Sequence, residues 1–316
     1  MTEKFQKVSG TFLGVPSAAD AAHADVAIFG AVHGTAYAGA QFAPPSETGP
    51  DAVRRAITTA SVHIDHWDFD FDGPLLNDGA LKVVDLGNVP TTPHANDKNR
   101  DAIESATRDI RAHGAMPILI GGDDSTAIPF MKGLSDVPAL HILQIDGHID
   151  WRDHIAGERF GYSSTMRRAS ELSNVRSITQ VGIRAVGSAR REEVETATSW
   201  GARIFTVRKS RALGMTTVAD ALPRDGHLLI HIDLDALDPS ICPGVNALSP
   251  GGLRLDEVTD LIAATMQDRT LAGLSVVELD PAADINAMTA TVAGRLVCHV
   301  LGHLARSVPS ETRHRK

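Results

Sequence analysis

The sequence predicts an α/β protein built on a mainly parallel sheet of eight strands, with helices covering both faces. Short apolar runs alternate with longer segments of helical periodicity from about residue 25 to the end of the chain. This alternation is typical of parallel strands, because each helix returns the chain to the same edge of the sheet. The 316 residues are 43% hydrophobic and contain neither an internal repeat nor a convincing linker. We therefore expect one domain over residues 1–316.

Each element follows from its local pattern. The first helix is predicted to open at Pro50, since proline suits the first helical position and Asp51 suits the first turn. The predicted strands span residues 25–32, 81–84, 115–120, 139–145, 178–183, 203–206, 227–234 and 271–278. The predicted helices span residues 50–58, 97–113, 126–133, 189–200, 216–221, 254–266 and 287–307.

Composition narrows the class of protein. A net charge of −9 argues against nucleic acid as the main partner and is compatible with a cationic substrate. The two cysteines, Cys242 and Cys298, are too few for a disulfide framework. The N-terminus lacks an apolar signal core, and no uncharged apolar run is long enough to span a bilayer. We expect a cytoplasmic protein with no membrane partner.

Acidic groups stand at the ends of two predicted strands. Asp146, His148 and Asp150 follow one apolar run, while Asp233 and Asp235 follow another. Alternate residues of a strand share a face, so each set points to one side. Unpaired buried carboxylates are very costly, and a cation removes that cost. Carboxylates with imidazole suit Mn, Fe, Ni or Zn, so the pattern indicates a metal site, with two ions bridged by shared carboxylates.

A third strand end carries the segment Gly121-Gly122-Asp123-Asp124-Ser125. Taken alone, this is an ordinary glycine turn in which Asp123 or Asp124 caps the next helix. Beside the other two motifs, Asp124 becomes a candidate ligand. His231 lies on the same strand face as Asp233 but deeper, so we interpret it as a core histidine and leave it out of the ligand set.

Other polar residues near these strand ends are candidates for substrate contacts. Glu278 ends the last strand, where its carboxylate could form two hydrogen bonds with a planar guanidinium; the alternative is a structural ion pair. His33 follows the first strand and overlooks the same rim, where a structural role is at least as plausible. Arg167 or Arg168 would bind a substrate carboxylate or a subunit partner, although a solvated basic pair is the commoner outcome.

In their order along the chain, these motifs resemble the ureohydrolase family, which includes arginase and agmatinase. Residues 39–54 are similar to the family's glycine-rich loop and its Gly-Pro-x-Ala-(Ile/Val)-Arg helix start, and residues 85–90 to its Asp-x-Gly-Asp-Val segment. The three strand ends resemble Gly-Gly-Asp-His-Ser, Asp-Ala-His-x-Asp and Asp-x-Asp-x-x-Asp-Pro. Residues 243–252 resemble the family's loop that ends in Pro-Gly-Gly.

The resemblance implies a three-layer α/β/α fold, an oligomer (trimer or hexamer), two Mn ions with Ni as an alternative, and a bridging hydroxide. The implied reaction hydrolyses a guanidino compound to urea and an amine; agmatine, guanidino acids and smaller guanidine or biguanide compounds are candidate substrates. Glu278 matches the family's guanidinium-binding glutamate. One ion would be held by Asp124, Asp146, Asp150 and Asp233, and the other by His148, Asp146, Asp233 and Asp235.

The sequence departs from the family pattern at two places. Asp124 stands where the family has a histidine ligand, which adds negative charge and favours Mn. The family's proton-shuttling histidine would fall at Tyr162 or Ser163, and neither hydroxyl does the same acid–base work near neutral pH. His154 and His33 are the alternative proton donors. These departures leave open a second interpretation, a non-catalytic subunit of a hetero-oligomer, and a third, a different amidine or amide hydrolase.

Overall fold

The computed structural model describes residues 4–38, 49–58 and 62–308. Its centre is a sheet of eight strands in which every neighbouring pair is parallel. The strands are β1 Val26–Gly30, β2 Trp67–Asp68, β3 Gly73–Pro74, β4 Val83–Asn88, β5 Met116–Ile120, β6 Leu140–Ile145, β7 Val175–Ile183, β8 Arg203–Thr206, β9 His227–Asp233 and β10 Thr270–Val277. Of these, β2 and β3 form a separate antiparallel hairpin outside the large sheet. The order across the sheet is β4-β1-β5-β10-β9-β6-β7-β8. The predicted eight-stranded parallel sheet is confirmed.

Helices connect the strands, as the alternating pattern predicted. They are α1 Gly49–Ile57, α2 Asn96–Ala112, α3 Ala127–Gly133, α4 Thr165–Ala169, α5 Arg191–Trp200, α6 Val207–Leu213, α7 Met215–Asp220, α8 Leu255–Met266 and α9 Met288–Ser307. All seven predicted helices are present, while α4 and α6 were not predicted. Among the described residues, no helix is both long and apolar enough to cross a bilayer.

The sheet separates two buried clusters of apolar side chains. Ile28, Ile118 and Ile230 face one cluster, which also contains residues of α1, α8 and α9. Phe29 and Leu119 face the other, which contains residues of α2 and α3. Because successive side chains of a strand alternate in direction, strands that are apolar throughout must be covered on both faces. This explains the three layers.

A buried ion pair joins α1 to β4. The Arg54 guanidinium donates to both carboxylate oxygens of Asp85, over 2.8 and 2.9 Å, and to the Asn88 side chain over 2.7 Å. These contacts unite two motifs noted in the sequence, at residues 49–54 and 85–90. They also explain why β4 extends to Asn88, four residues beyond the predicted end, although Asp85 and Asn88 are poor strand formers. Residues 39–48 of the glycine-rich segment lie outside the described residues.

The sheet order brings the chemically distinctive strand ends together. β5, β10, β9 and β6 are adjacent at the centre of the sheet. Asp124, Glu278, Asp233 and Asp146 lie at or just beyond the carboxyl ends of these four strands. Ligands of parallel α/β sheets bind at this edge, so the topology places the acidic motifs where a site is expected.

Candidate metal centre and substrate cavity

The end of β6 supplies two buried carboxylates and an imidazole. Asp146 is completely buried. Gln144, two residues earlier on the same strand, donates to Asp146 Oδ2 over 2.6 Å and to Asp150 Oδ2 over 2.8 Å. His148 Nδ1 lies 2.9 Å from Asp235 Oδ2 and 3.6 Å from Asp146 Oδ1. Gln144 therefore fixes the spacing of two carboxylates from beneath, while His148 bridges toward β9.

The end of β9 supplies two more carboxylates in a tight turn. Asp233 Oδ1 accepts the Asp235 backbone N–H over 2.8 Å, and Asp235 Oδ1 accepts the Gly147 backbone N–H over 2.9 Å. The Arg184 guanidinium donates to the Asp235 carbonyl over 2.5 Å and to the Ser249 carbonyl over 2.7 Å. This arginine joins the β9 turn to the loop at residues 243–252, so the positions of the Asp233 and Asp235 side chains are fixed by backbone contacts.

The end of β5 brings Asp124 to an unexpected neighbour. His231 Nε2 lies 2.9 Å from Asp124 Oδ1, and both residues are buried. The interpretation of His231 as a buried histidine agrees with its full burial, but the ring also adjoins the acidic cluster, because Asp124 turns back toward β9. Sequence reasoning missed this proximity; its only signal was the face that His231 shares with Asp233.

The donor atoms gather into two triads that share Asp146. The atoms of Asp124, Asp146 and His231 lie within 4.8 Å of one another, and so do those of Asp146, His148 and Asp235. The predicted ligands Asp150 and Asp233 are outside these two triads but line the adjoining cavity. Each triad contains two carboxylates and one imidazole, a donor set that suits Mn, Fe, Ni or Zn.

Electrostatics explain why this cluster favours cations. Burial, followed by the charges of neighbouring carboxylates, raises the pKa of Asp150 and of Asp233 well above the ordinary value. Burial is the largest influence on the pKa of Asp146 and raises it, but the hydrogen bonds with His148 and Asp150 and the charge of His148 together outweigh burial and leave that pKa lowered. Hydrogen bonds to Asp146 and Asp235 raise the pKa of His148 to about 11. Neither carboxylate oxygen of Asp124 accepts a hydrogen bond. Two divalent cations fit these residues, since they would replace the missing partners and offset the mutual repulsion.

A cavity of about 260 Å³ adjoins the triads. Tyr37, Tyr162 and Ser163 lie on its wall, and Glu278 and Asp150 also line it. No lysine or arginine is among its lining residues in the described ranges. Burial, then the nearby charge of Asp123, raises the pKa of Glu278 well above its ordinary value. A guanidinium ion in this cavity would therefore find a carboxylate that lacks a positive partner.

Glu278 is held in place by backbone contacts. Its Oε1 accepts the Asp124 backbone N–H over 2.8 Å, and its own N–H donates to the Gly122 carbonyl over 2.8 Å. Its φ of 68° lies in the left-handed region, as does the φ of 43° at Asp150. Strained backbone of this kind occurs at functional sites, where surrounding contacts impose it.

Of the other predicted site residues, three do not line the cavity and one does. The His33 ring is 3.1 Å from the Thr91 hydroxyl, and His154 is exposed. The Arg167 guanidinium lies 3.6 Å from Glu171. None of the three lines the cavity as described, whereas Ser163 does. The roles assigned to His33, His154 and Arg167 in binding or proton transfer remain predictions. Tyr37, which the sequence did not single out, accepts the Ser163 backbone N–H at its hydroxyl oxygen over 3.2 Å.

A parallel sheet with buried carboxylates and imidazoles at its carboxyl edge is an architecture of metal-dependent hydrolases, and the comparisons with known proteins make the class specific. The chain matches the family model "Arginase family" over residues 24–302, and therefore belongs to the arginase family. It is a hydrolase of the group that acts on amidino C–N bonds.

Three relatives illustrate the match. The chain is 27% identical over 264 residues to an agmatinase of Halalkalibacterium halodurans, covering 82% of this chain and 86% of that protein. It is 27% identical over 310 residues to a formimidoylglutamase of Halobacterium salinarum, covering 94% and 93%. Its fold is similar to that of proclavaminate amidino hydrolase from Streptomyces clavuligerus, with a TM-score of 0.82, 23% identity and coverage of 96% and 99%. This similarity confirms the predicted arginase-like α/β fold.

Proposed function

We propose that this protein uses two divalent metal ions, Mn or alternatively Ni, to hydrolyse a small guanidino compound to urea and an amine. The observation that carries the proposal is the pair of triads sharing Asp146, directly beside a cavity that is lined by Glu278. The agmatinase and amidinohydrolase names of its relatives support the same reaction class. We further propose that the protein works as a homo-oligomer. Analytical ultracentrifugation would measure the mass of the assembly.

The cavity favours a cationic head group without a carboxylate tail. Glu278, buried and short of positive partners, would accept two hydrogen bonds from a planar guanidinium. Arg167, the predicted anchor for a substrate carboxylate, is beside Glu171 and not in the cavity. Agmatine and simple guanidine compounds are therefore better candidates than guanidino acids.

The residues of the chain define the steps around the reacting carbon. When bound, the two ions would supply a hydroxide nucleophile at neutral pH and offset the charge of the carboxylates. Asp150, positioned by Gln144, would accept a hydrogen bond from the nucleophile and set its direction. Glu278 would orient the guanidinium so that its carbon faces the attack. The leaving amine nitrogen then takes the proton that the attacking hydroxide carried, as its bond to carbon breaks. The Ser163 hydroxyl is better placed than His154 to relay this proton, because Ser163 lines the cavity.

Urea release tests the proposal. The purified protein is loaded separately with Mn and with Ni and is assayed with agmatine, guanidine, a biguanide and a guanidino acid. We expect urea from one of the first three and none from the guanidino acid. Absence of urea from every compound, with metal shown to be bound, would overturn the proposal; urea from the guanidino acid alone would overturn the assignment of the tail.

A further inference from the structure

We propose that His231 is a ligand of the metal ion nearest β5, replacing the imidazole that position 124 lacks. This inference rests on the proposed dinuclear site and adds to it a residue from inside the sheet. The ion would be held by Asp124, Asp146 and His231, three buried residues whose donor atoms lie within 4.8 Å of one another.

The position of His231 in the sheet fixes its direction. Its partners in register are Ser275 on β10 and Gln144 on β6. His231 Nδ1 lies 2.8 Å from the Ser275 hydroxyl, and the ring is fully buried. Metal-binding histidines are commonly oriented in this way, with one ring nitrogen hydrogen bonded and the other directed at the ion. A proton on Nδ1 leaves the Nε2 lone pair available on the side of Asp124.

The contact between His231 and Asp124 does not have the geometry of a hydrogen bond. Nε2 is 2.9 Å from Asp124 Oδ1, yet neither Nε2 nor either Asp124 carboxylate oxygen has a hydrogen-bond partner. Two neighbouring ligand atoms at right angles on one ion, with bonds of about 2.1 Å, are about 3 Å apart. The contact thus has the length expected for two neighbouring ligand atoms of one ion.

The assignment also balances the two metal positions. With His231 included, each triad has one imidazole, one carboxylate of its own and the shared Asp146. The aspartate at position 124 then does not leave its ion surrounded by carboxylates alone, and the excess negative charge expected from the sequence is reduced. A structural ion pair between protonated His231 and Asp124 is the alternative, and it predicts no dependence of metal content on His231.

The metal content of variants distinguishes ligation by His231 from a structural ion pair between His231 and Asp124. The wild-type protein, the single variant His231→Ser and the double variant Asp124→His/His231→Ser are loaded with Mn²⁺, passed through gel filtration and analysed by mass spectrometry for Mn per chain. We expect the single variant to lose one of two ions and the double variant to regain it, because the imidazole is restored from β5. Ser275→Ala, which removes only the partner of Nδ1, should weaken binding by about 10- to 100-fold. Two ions retained by the single variant at wild-type affinity would overturn the assignment.

X-ray absorption at the Mn edge of the wild-type protein keeps the test independent of how the variants fold. Ligation by both His148 and His231 gives about one imidazole per ion, while ligation by His148 alone gives about half, which would contradict the proposal. These readouts do not require turnover. Failure of urea release with one imidazole per ion would therefore count against the proposed reaction only, and urea release with half an imidazole per ion would count against His231 only.

Discussion

Two site residues, Asp150 and Glu278, combine a buried carboxylate with a left-handed backbone. Such a conformation costs about 1–3 kcal/mol for a non-glycine residue. Hydrogen bonds of the backbone maintain it, from the Arg167 N–H to the Asp150 carbonyl over 3.1 Å and from the Glu278 N–H to Gly122. The strain fixes where each carboxylate stands relative to the triads, which a relaxed extended backbone at the strand ends would not do.

Asp233 tests the metal centre at the level of one side chain. We expect Asp233→Ala to abolish both Mn binding and urea release, because its carboxylate lines the cavity and accepts the backbone N–H of Asp235, a member of one triad. Mn content and urea are measured on the same preparation. Asp225→Ala is the matched control, since Asp225 is exposed on a loop before β9. Turnover retained in Asp233→Ala would rule out the dinuclear mechanism.

Glu278 tests substrate binding separately from metal binding. Glu278→Gln keeps the size of the side chain but removes the charge that a guanidinium would meet. We expect Mn content to stay at the wild-type value, while kcat/KM falls by an amount that corresponds to about 2–5 kcal/mol. Steady-state kinetics and metal analysis check this together; unchanged kcat/KM would show that the guanidinium binds elsewhere.

The sequence predicts most residues of the candidate site, but it does not predict the buried contact between Asp124 and His231. Asp146, His148, Asp150, Asp233 and Asp235 could be predicted from alternation along two strands, because strand periodicity fixes which side chains share a face. His231 could not, since whether a deeper histidine is a core residue or a ligand depends on a residue from another strand. Asp124 is that residue, and only the pairing order of β5, β10 and β9 brings it close.

Among the elements, the junction of α1 with β4 contains a buried ion pair. Arg54 is 2% exposed and Asp85 is completely buried, and the two form a bidentate pair. We expect Asp85→Ala to lower the free energy of unfolding by about 3–5 kcal/mol, because it leaves an unpaired buried charge. Chemical denaturation measures the loss.

A neighbouring acid provides the control for that experiment. Asp51 lies 3.3 Å from the same guanidinium, but its side chain is 34% exposed. Asp51→Ala should therefore cost no more than about 1 kcal/mol. Equal losses in the two variants would show that burial does not determine the strength of this junction.

Elements with continuous apolar runs could be predicted from the sequence, whereas elements that depend on distant contacts or have a short apolar face could not. Strands with continuous apolar runs, such as β5 and β6, were predicted to within a residue at either end. The carboxyl half of β4 was not, because Asp85, Gly87 and Asn88 have low strand propensity and are held by Arg54, more than 25 residues earlier in the chain. Helix α6, Val207–Leu213, was missed because three of its seven residues are basic and its apolar face is short.

For the whole molecule, the pH dependence of stability has a contribution from α9. Burial, then the charges of His299 and Arg306, lowers the pKa of His303 from 6.5 to about 4. The folded state then binds fewer protons than the unfolded chain between these values, so this residue makes stability fall as the pH decreases from 6.5 toward 4. Above pH 6.5 it contributes no dependence.

Removing the imidazole tests that contribution. The free energy of unfolding of wild-type and His303→Leu protein is measured at pH 7 and at pH 5. We expect the difference between the two proteins to shift in favour of the variant at pH 5. His113→Gln, at an exposed position, should follow the wild type at both values. A constant difference between His303→Leu and wild type would contradict the assignment.

The hydrogen bond between Asp124 and Glu278 spans 154 residues of sequence. During synthesis, a chain that has emerged only as far as β6 presents the carboxylates of the first two strand ends with neither β9 nor β10 to complete them. Such a chain could not hold two ions in the proposed arrangement, because the shared Asp146 still lacks His231 and Asp235. Metal uptake should therefore follow the docking of β9 onto β6, instead of guiding the early folding of the chain.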